Sequence, residues 1–366
     1  MAVTIKEVAR LAGTSPAAVS ATLSGRSSNI RVGVATKERI YAAAAQLGYL
    51  SNPVARSLAT GKTKVVGVML PYVEAFADHD PFCAQITNGI IQEVIRDQYN
   101  VMLYTGGGFQ GGSMAASAVD SRVDGVVLVL PPVDCAVFAK CETRHIPYVS
   151  ILRSTAPGTY SVNSDDTEGG RLATEHLISL GHTRIAHLVG KDYIPTSAGR
   201  LSGYSQALTE AGLEVHANLV IPSGFDWRSG YRATCDLLAL PKAQRPTAIF
   251  AANDLCAEGA LRALREAGLS APDDMAVVGY DDTWFASMTQ PALTTVRMPI
   301  VEMGALAVRM LVDLVEGRPI SDPHPVLPVS LTVRGSCGAS ASHGANPDSS
   351  HSQHSIKEDT NHAHHS

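Results

Sequence analysis

Nine lysines and arginines crowd the first 64 residues: Lys6, Arg10, Arg26, Arg31, Lys37, Arg39, Arg56, Lys62 and Lys64. Only Glu7 and Glu38 oppose them, whereas the rest of the chain carries 20 basic and 32 acidic residues. A basic head on an acidic body suggests a polyanion partner for the head alone. A solvated charged face would have the same composition, so charge by itself leaves both readings open. The other reactive residue types argue against catalysis. Gly106-Gly107-Gly108 lacks the Lys-Ser/Thr that a phosphate loop needs, and it does not fit G-x-G-x-x-G. His176, His182 and His187 have no evident Ser or Cys partner. The six cysteines (Cys83, Cys135, Cys141, Cys235, Cys256, Cys337) contain no C-x-x-C pair, so zinc-ligand spacing is absent and reduced, buried thiols are expected. No metal, no cofactor and no enzymatic activity are expected.

The elements that position these residues fall into two textures. Thr4 with Glu7 three residues later is a capping box that opens a helix through Ile5, Val8 and Leu11, and Gly13 stops it. Ser15 is then an N-cap, with Pro16 at the first helical position of a second short helix reaching about Leu23. Two short helices joined by a Gly-containing turn have the helix-turn-helix layout. A third helix spans Val34 to Leu47 with Ile40, Ala44 and Leu47 inward, between Gly33 and Gly48. Val54 to Ala59 is a helical stretch too short to be stable alone, read as a hinge that orders on binding.

From Lys64 onward, apolar strand runs alternate with helical patterns: Val65–Leu70, Val101–Tyr104, Gly125–Leu130, Tyr148–Ile151, Ile185–Val189, Thr247–Ala251 and Met275–Val278. That alternation predicts parallel sheets in an α/β body with room for two lobes. Residues 337–366 are rich in Ser, His and Asn and read as a disordered tail, with no scaffold to turn its histidines into a metal site. No apolar run approaches the about 18 residues of a membrane span, and the N-terminus lacks a signal-peptide layout. A cytoplasmic location is expected.

The order and spacing of several segments together resemble the lactose-repressor (LacI) family of bacterial regulators. They are Thr4-Ile5-Lys6-Glu7-Val8-Ala9, Ala12-Gly13-Thr14-Ser15, Leu47-Gly48-Tyr49, Ala55-Arg56-Ser57-Leu58, Asp165 to Gly170, Arg200 with Gly203, Asn253-Asp254, Gly279-Tyr280-Asp281-Asp282 and Pro291 to Val296. The match runs from about Val3 to Arg334. The resemblance implies an all-α helix-turn-helix head (1–50), a hinge helix (51–62) and a periplasmic-binding-protein-like α/β body of two Rossmann-like lobes (63–336). Lobe one is expected at about 63–181 and 297–323, and lobe two at about 182–296 and 324–336. It also implies operator DNA as partner, a homodimer or tetramer, and a small-molecule effector between the lobes, a sugar first and a purine or nucleoside second. A periplasmic binding protein would share the body but has no use for the basic head.

For DNA, the resemblance singles out Thr4, Thr14, Ser15, Pro16, Ala17, Ala18, Ser20, Ala21, Asn29, Asn52, Ala55 and Leu58. Pro16, Ala17, Ala18 and Ala21 cannot donate a side-chain hydrogen bond, so polar base readout from the second helix should be lean. Helix propensity alone would also explain Ala17 and Ala18. Leu58 matches an apolar wedge between base steps, with packing against its symmetry mate or the body as the alternative. For the effector, the implied residues are Phe82, Glu168, Arg200, Trp227, Asn253 and Asp281. Arg200 offers a planar donor fork, Asp281 acceptors, Asn253 both, and Trp227 and Phe82 apolar faces. Core packing is the alternative for the two aromatics, a structural ion pair for Arg200 and Asp281, and helix capping for Glu168.

Overall fold

The computed structural model describes residues 3–23, 31–49, 57, 61–70, 80–104, 119–132, 135–152 and 158–339. Asn29, Asn52, Ala55, Leu58, the glycine triplet at 106–108 and the chain from 340 lie outside the described residues.

Local signals set the head. In α1 (Ile5–Ala12) the Thr4 N–H donates to Glu7 Oε2 at 2.7 Å, and Gly13 ends the helix at φ 60°. The Ser15 hydroxyl accepts the Ala18 N–H at 3.1 Å and opens α2 (Pro16–Leu23). Gly33 caps α3 (Val34–Leu47) without a side-chain bond, and Gly48 closes it at φ 62°. The three helices share a small core of Val8, Ala9, Ala12, Val19, Ile40, Ala43 and Ala44. Helices this short are marginal alone, so the shared core completes what the caps begin.

Among the described residues the body forms two sheets, each with helices packed against it. The first is built from β1 (Val65–Met69), β2 (Asn100–Tyr104), β3 (Gly125–Val129), β4 (Tyr148–Ile151), β5 (Ser161–Ser164) and β11 (Val326–Leu327), in the order β11-β5-β4-β3-β1-β2. These strands pair in parallel throughout. The second is built from β6 (Ile185–Val189), β7 (Val220–Pro222), β8 (Ala248–Ala251), β9 (Ala276–Asp281), β10 (Thr294–Arg297) and β12 (Ser330–Thr332), in the order β12-β10-β9-β8-β6-β7. Here β12 runs antiparallel to β10 and the other pairings are parallel. Central strands such as β3 and β8 are buried along their whole length, as a parallel sheet covered on both faces demands.

The described α-helices of the body are α4 (Pro81–Arg96), α5 (Ala136–Thr143), α6 (Asp166–Ser179), α7 (Pro195–Glu210), α8 (Trp227–Ala239), α9 (Asp254–Glu266) and α10 (Ile300–Glu316). α10 packs on α4 and on the first sheet, and α6 pairs with α7 over the second. The chain therefore leaves the first lobe after β5, near residue 165, rather than at 181. It returns to that lobe through α10 and leaves again only after β11, at 327, rather than at 323. Close helix crossing is the physical reason for the first shift: a Cβ on Gly203 would lie 1.9 Å from the Thr167 carbonyl oxygen, which fixes α6 to α7.

The C-terminal boundary also needs correction. Ser336 and Cys337 are buried in a short 3-10 turn. The Ser336 hydroxyl accepts the Thr294 N–H and donates to the Val277 carbonyl, fastening β9 and β10, and Cys337 Sγ lies 3.2 Å from His176 Nε2. The expected disordered tail thus cannot begin at Cys337.

Candidate functional site

On the head, Pro16, Ala17 and Ser20 are exposed on one side of α2 and Ala21 is half-buried, while Ala18 is only 8% exposed. Ala18 therefore helps to pack the head and is not offered to a ligand. Thr4 and Ser15 are exposed at the starts of α1 and α2, with Thr14 half-buried between them. These residues give the face of the second helix methyl groups and hydroxyls, with no long donor side chain.

In the body, the carboxyl ends of the second sheet's strands gather the remaining chemistry, which is where open α/β folds bind ligands. Arg200, from α7, is 3% exposed. Its Nε donates to Asp166 Oδ1 at 2.9 Å and one Nη donates to the Ala252 carbonyl. Its guanidinium carbon sits 3.6 Å from the centre of the Tyr280 ring. The other Nη stands 3.8 Å from Asp281 Oδ1, beyond hydrogen-bond distance. Asp281 ends β9 with φ 112°, a backbone setting that L residues rarely adopt. The adjacent Asp282 faces elsewhere. It accepts from Arg297 and Arg334 and ties β9 to the C-terminal segment.

Asn253 is the N-cap of α9. Its Oδ1 accepts the Cys256 N–H at 2.9 Å and its Nδ2 donates to the Phe225 carbonyl at 3.0 Å. Both ends of the amide are thus engaged in shaping the loop that carries Phe225. The Phe225 ring centre lies 6.0 Å from the Arg200 guanidinium. It also presses on Gly190, where any Cβ would fall 2.3 Å from the ring. Across from this set, Asp80 caps α4 by accepting the Phe82 and Cys83 N–H groups. Its charge is near enough to Asp281 to push that carboxyl up further.

Burial dominates the titration of these acids. It raises Asp166 despite Arg200, and it raises Asp281 well above the ordinary carboxylate range. Beneath them, burial lifts Asp254 to about 7 although Thr295 Oγ1, Thr283 N and Thr283 Oγ1 all donate to it. Because the folded pKa lies above the unfolded value of 3.8, the Asp254 contribution is full below about 4 and disappears as the pH rises through about 7. The stability of the protein relative to Asp254→Asn is therefore expected to decline from pH 5 to pH 8. Urea midpoints of both proteins check this, and a relative stability that rises with pH would reject it.

Three expected effector residues stand elsewhere. Glu168 is held by Arg171 at 2.7 and 2.6 Å on the surface of α6, where Asp165 does the capping. Phe82 is buried in the core with Ile86, Val68 and Leu70. Trp227 lies on the outer side of α8, between the guanidinium groups of Arg228 and Arg262. The residues that sequence reading missed are Phe225, Asp166, Tyr280 and Asp80. For Phe225 a signal existed: Asp226 with Ser229 three residues on is an N-cap pattern, and the structure shows the Asp226 carboxylate accepting the Ser229 N–H. The residue before such a cap stays in the loop at the strand ends, whereas the residue after it joins the helix.

The head matches the family model described as bacterial regulatory proteins, lacI family, over residues 4–52, and residues 174–337 match a periplasmic binding protein-like domain. The HTH-type transcriptional regulator CelR of Thermobifida fusca is 34% identical over 335 residues, covering 90% of this chain and 97% of CelR. The chain belongs to the LacI family. The HTH-type transcriptional repressor PurR of Erwinia tasmaniensis is 33% identical over 86% of this chain and 91% of that protein. Among solved structures, the lac repressor dimer bound to operator and the anti-inducer ONPF superposes with a TM-score of 0.81 at 30% identity, over 93% of this chain and all of that one. A CelR–cellobiose complex gives 0.70 at 33% identity, over 91% and 99%. This LacI-family member is a DNA-binding transcription regulator with a ligand-binding body, and not an enzyme. Among the described residues no helix is long and apolar enough to cross a membrane.

Proposed function

We propose that the protein is a repressor whose operator affinity is set by a sugar held between the two lobes. The observation that carries this reading is the convergence of the Arg200 guanidinium, the Asp281 carboxyl 3.8 Å from it and the Phe225 ring at the carboxyl ends of the second sheet's strands. A donor fork, an acceptor carboxylate and an apolar face are what a ring with several hydroxyls needs. The surrounding buried acids Asp80, Asp166 and Asp254 favour a ligand that donates hydrogen bonds over one that brings further negative charge. The cellobiose in the CelR complex supports the sugar class. A nucleoside is the second reading, because its base could face Phe225 while its ribose hydroxyls meet the same pair.

On DNA, a homodimer sets two copies of α2 in successive major grooves. Thr4, Thr14, Ser15, Pro16, Ala17, Ser20 and Ala21 lie against phosphates and base edges, with Asn29, Asn52 and Ala55 alongside and Leu58 wedged at the centre. The sugar acts by binding one lobe geometry better than the other.

Thermal unfolding of the full chain against a panel of sugars and nucleosides tests the effector class. A sugar at a hundred times its Kd should add about 2.7 kcal/mol of apparent stability and should change the retention of near-palindromic operator DNA. Stabilisation by nucleosides alone selects the second reading. Stabilisation by neither, or no change in DNA retention, overturns the proposal.

A further inference from the structure

The cleft holds more negative charge than its own residues offset, and the imbalance centres on Asp281. Arg200 is already engaged: its Nε donates to Asp166, one Nη donates to the Ala252 carbonyl, and its plane lies over the Tyr280 ring. Asp281 stands 3.8 Å from the remaining Nη, and among the described residues no hydrogen bond reaches its carboxylate. Its side chain is nevertheless only 6% exposed. An interior carboxylate without donors is costly, so the site is incomplete until something supplies them.

The neighbouring acids add to the imbalance. Asp166 shares the same guanidinium, and Asp254 lies beneath, held by Thr283 and Thr295. Asp80 comes from the first lobe, where it caps α4. All three raise the Asp281 carboxyl, and of the groups that act on it most strongly only Arg200 lowers it. The buried Cys83 thiol, in the first turn of α4, is pushed up by Asp80 and Asp281 together. Asp80 and Asp281 are thus like charges carried by opposite lobes. Bringing the lobes together brings these charges together, and a ligand that closes the cleft has to offset their repulsion.

We infer that the effector is a positively charged sugar: a hexosamine whose ammonium group lies between Asp281 and Asp80 while its hydroxyls meet Arg200 and its ring faces Phe225. This rests on the sugar reading above and narrows it. An ammonium group has three donors and no acceptor, so it gives Asp281 the hydrogen bonds it lacks and offsets the charge of Asp80 at the same time. The hydroxyls of a neutral sugar supply the hydrogen bonds but leave the two acids opposed. A phosphorylated sugar adds to the repulsion.

Thermal melting of the full-length protein with glucosamine, galactosamine and mannosamine tests the charge. Each is compared with its parent hexose and its N-acetyl derivative, just below neutral pH and at constant ionic strength. The N-acetyl derivative keeps the ring and loses the charge. At least one hexosamine should raise the melting temperature saturably, with half-saturation about tenfold or more below that of its two neutral counterparts. Ethanolamine, an amine without the ring, should give no such response. Asp80→Asn keeps a side-chain acceptor for the α4 cap and removes the charge, so it should erase most of the preference while the neutral hexose binds as before. Equal responses to a hexosamine and its parent hexose would overturn the charge assignment and leave the sugar reading standing, whereas a response to nucleosides alone would overturn both. No saturable response to any hexosamine, an equal response to ethanolamine, or an undiminished preference in Asp80→Asn would each overturn the assignment as well. The wild-type comparison is decisive even if the variant fails to fold.

Discussion

Arg200→Ala is expected to cost about 3–5 kcal/mol of folding stability at neutral pH, in addition to abolishing the response to effector. Arg200 compensates two buried carboxylates, Asp166 at 2.9 Å and Asp281 at 3.8 Å, and removing it leaves both without a counter-charge in the interior. Without the guanidinium, both acids move further up and take up protons, so the deficit relative to wild type should shrink as the pH falls from 7 to 5. Urea denaturation at the two pH values measures it. A loss below about 1 kcal/mol, typical of an exposed pair, or a deficit independent of pH, would remove Arg200 from this role. The burial of the ion pair predicts reduced operator occupancy as well, through a smaller folded fraction.

Gly203→Ala should destabilise the protein although helix propensity favours Ala over Gly by about 1 kcal/mol. The added Cβ would meet the Thr167 carbonyl oxygen at 1.9 Å and the Arg171 backbone nitrogen at 2.6 Å, neither of which can turn aside. α6 and α7 would have to separate, at a cost of about 1–3 kcal/mol or more. Because α6 carries Asp166 and α7 carries Arg200, that separation also lengthens the bond that orients the guanidinium. Effector affinity should therefore fall in the fraction that remains folded, as calorimetric titration of the folded protein would show. A stabilised Gly203→Ala variant would mean that the two helices pack with slack.

Both substitutions act through contacts that no short stretch of sequence reveals. The caps at Thr4, Ser15, Gly33 and Gly48 are legible because each acts on backbone groups within four residues. The long apolar strands are legible because burial on both faces leaves a continuous apolar run. β5 (Ser-Val-Asn-Ser), β7 (Val-Ile-Pro) and β12 (Ser-Leu-Thr) leave no such pattern. They are three or four residues long and of mixed polarity, and only their hydrogen-bonded neighbours make them strands.

The candidate site divides in the same way. Arg200, Asp281 and Asn253 stand out because their residue types suit the chemistry and their spacing resembles the family. The structure separates Trp227 from Phe225: Phe225 remains in the loop at the strand ends, 6.0 Å from the Arg200 guanidinium, and Trp227 begins α8. Glu168 and Phe82 are drawn instead to partners close in sequence, Arg171 and the α4 core.

By itself the sequence determined the basic head and its caps, the alternation of strand and helix, and membership of the family, because these depend on local hydrogen bonding, period and composition. Only the tertiary structure decided that Asp166 from α6 and Asp281 from β9 meet the same guanidinium, and that the chain leaves its first lobe at 165. It alone also decided that Trp227 stands against Arg228 and Arg262 on the second lobe, away from Arg200. These are contacts between residues far apart in the chain, and their distances are set by helix crossings at Gly170 and Gly203 and by sheet order, neither of which is written in any local stretch of sequence.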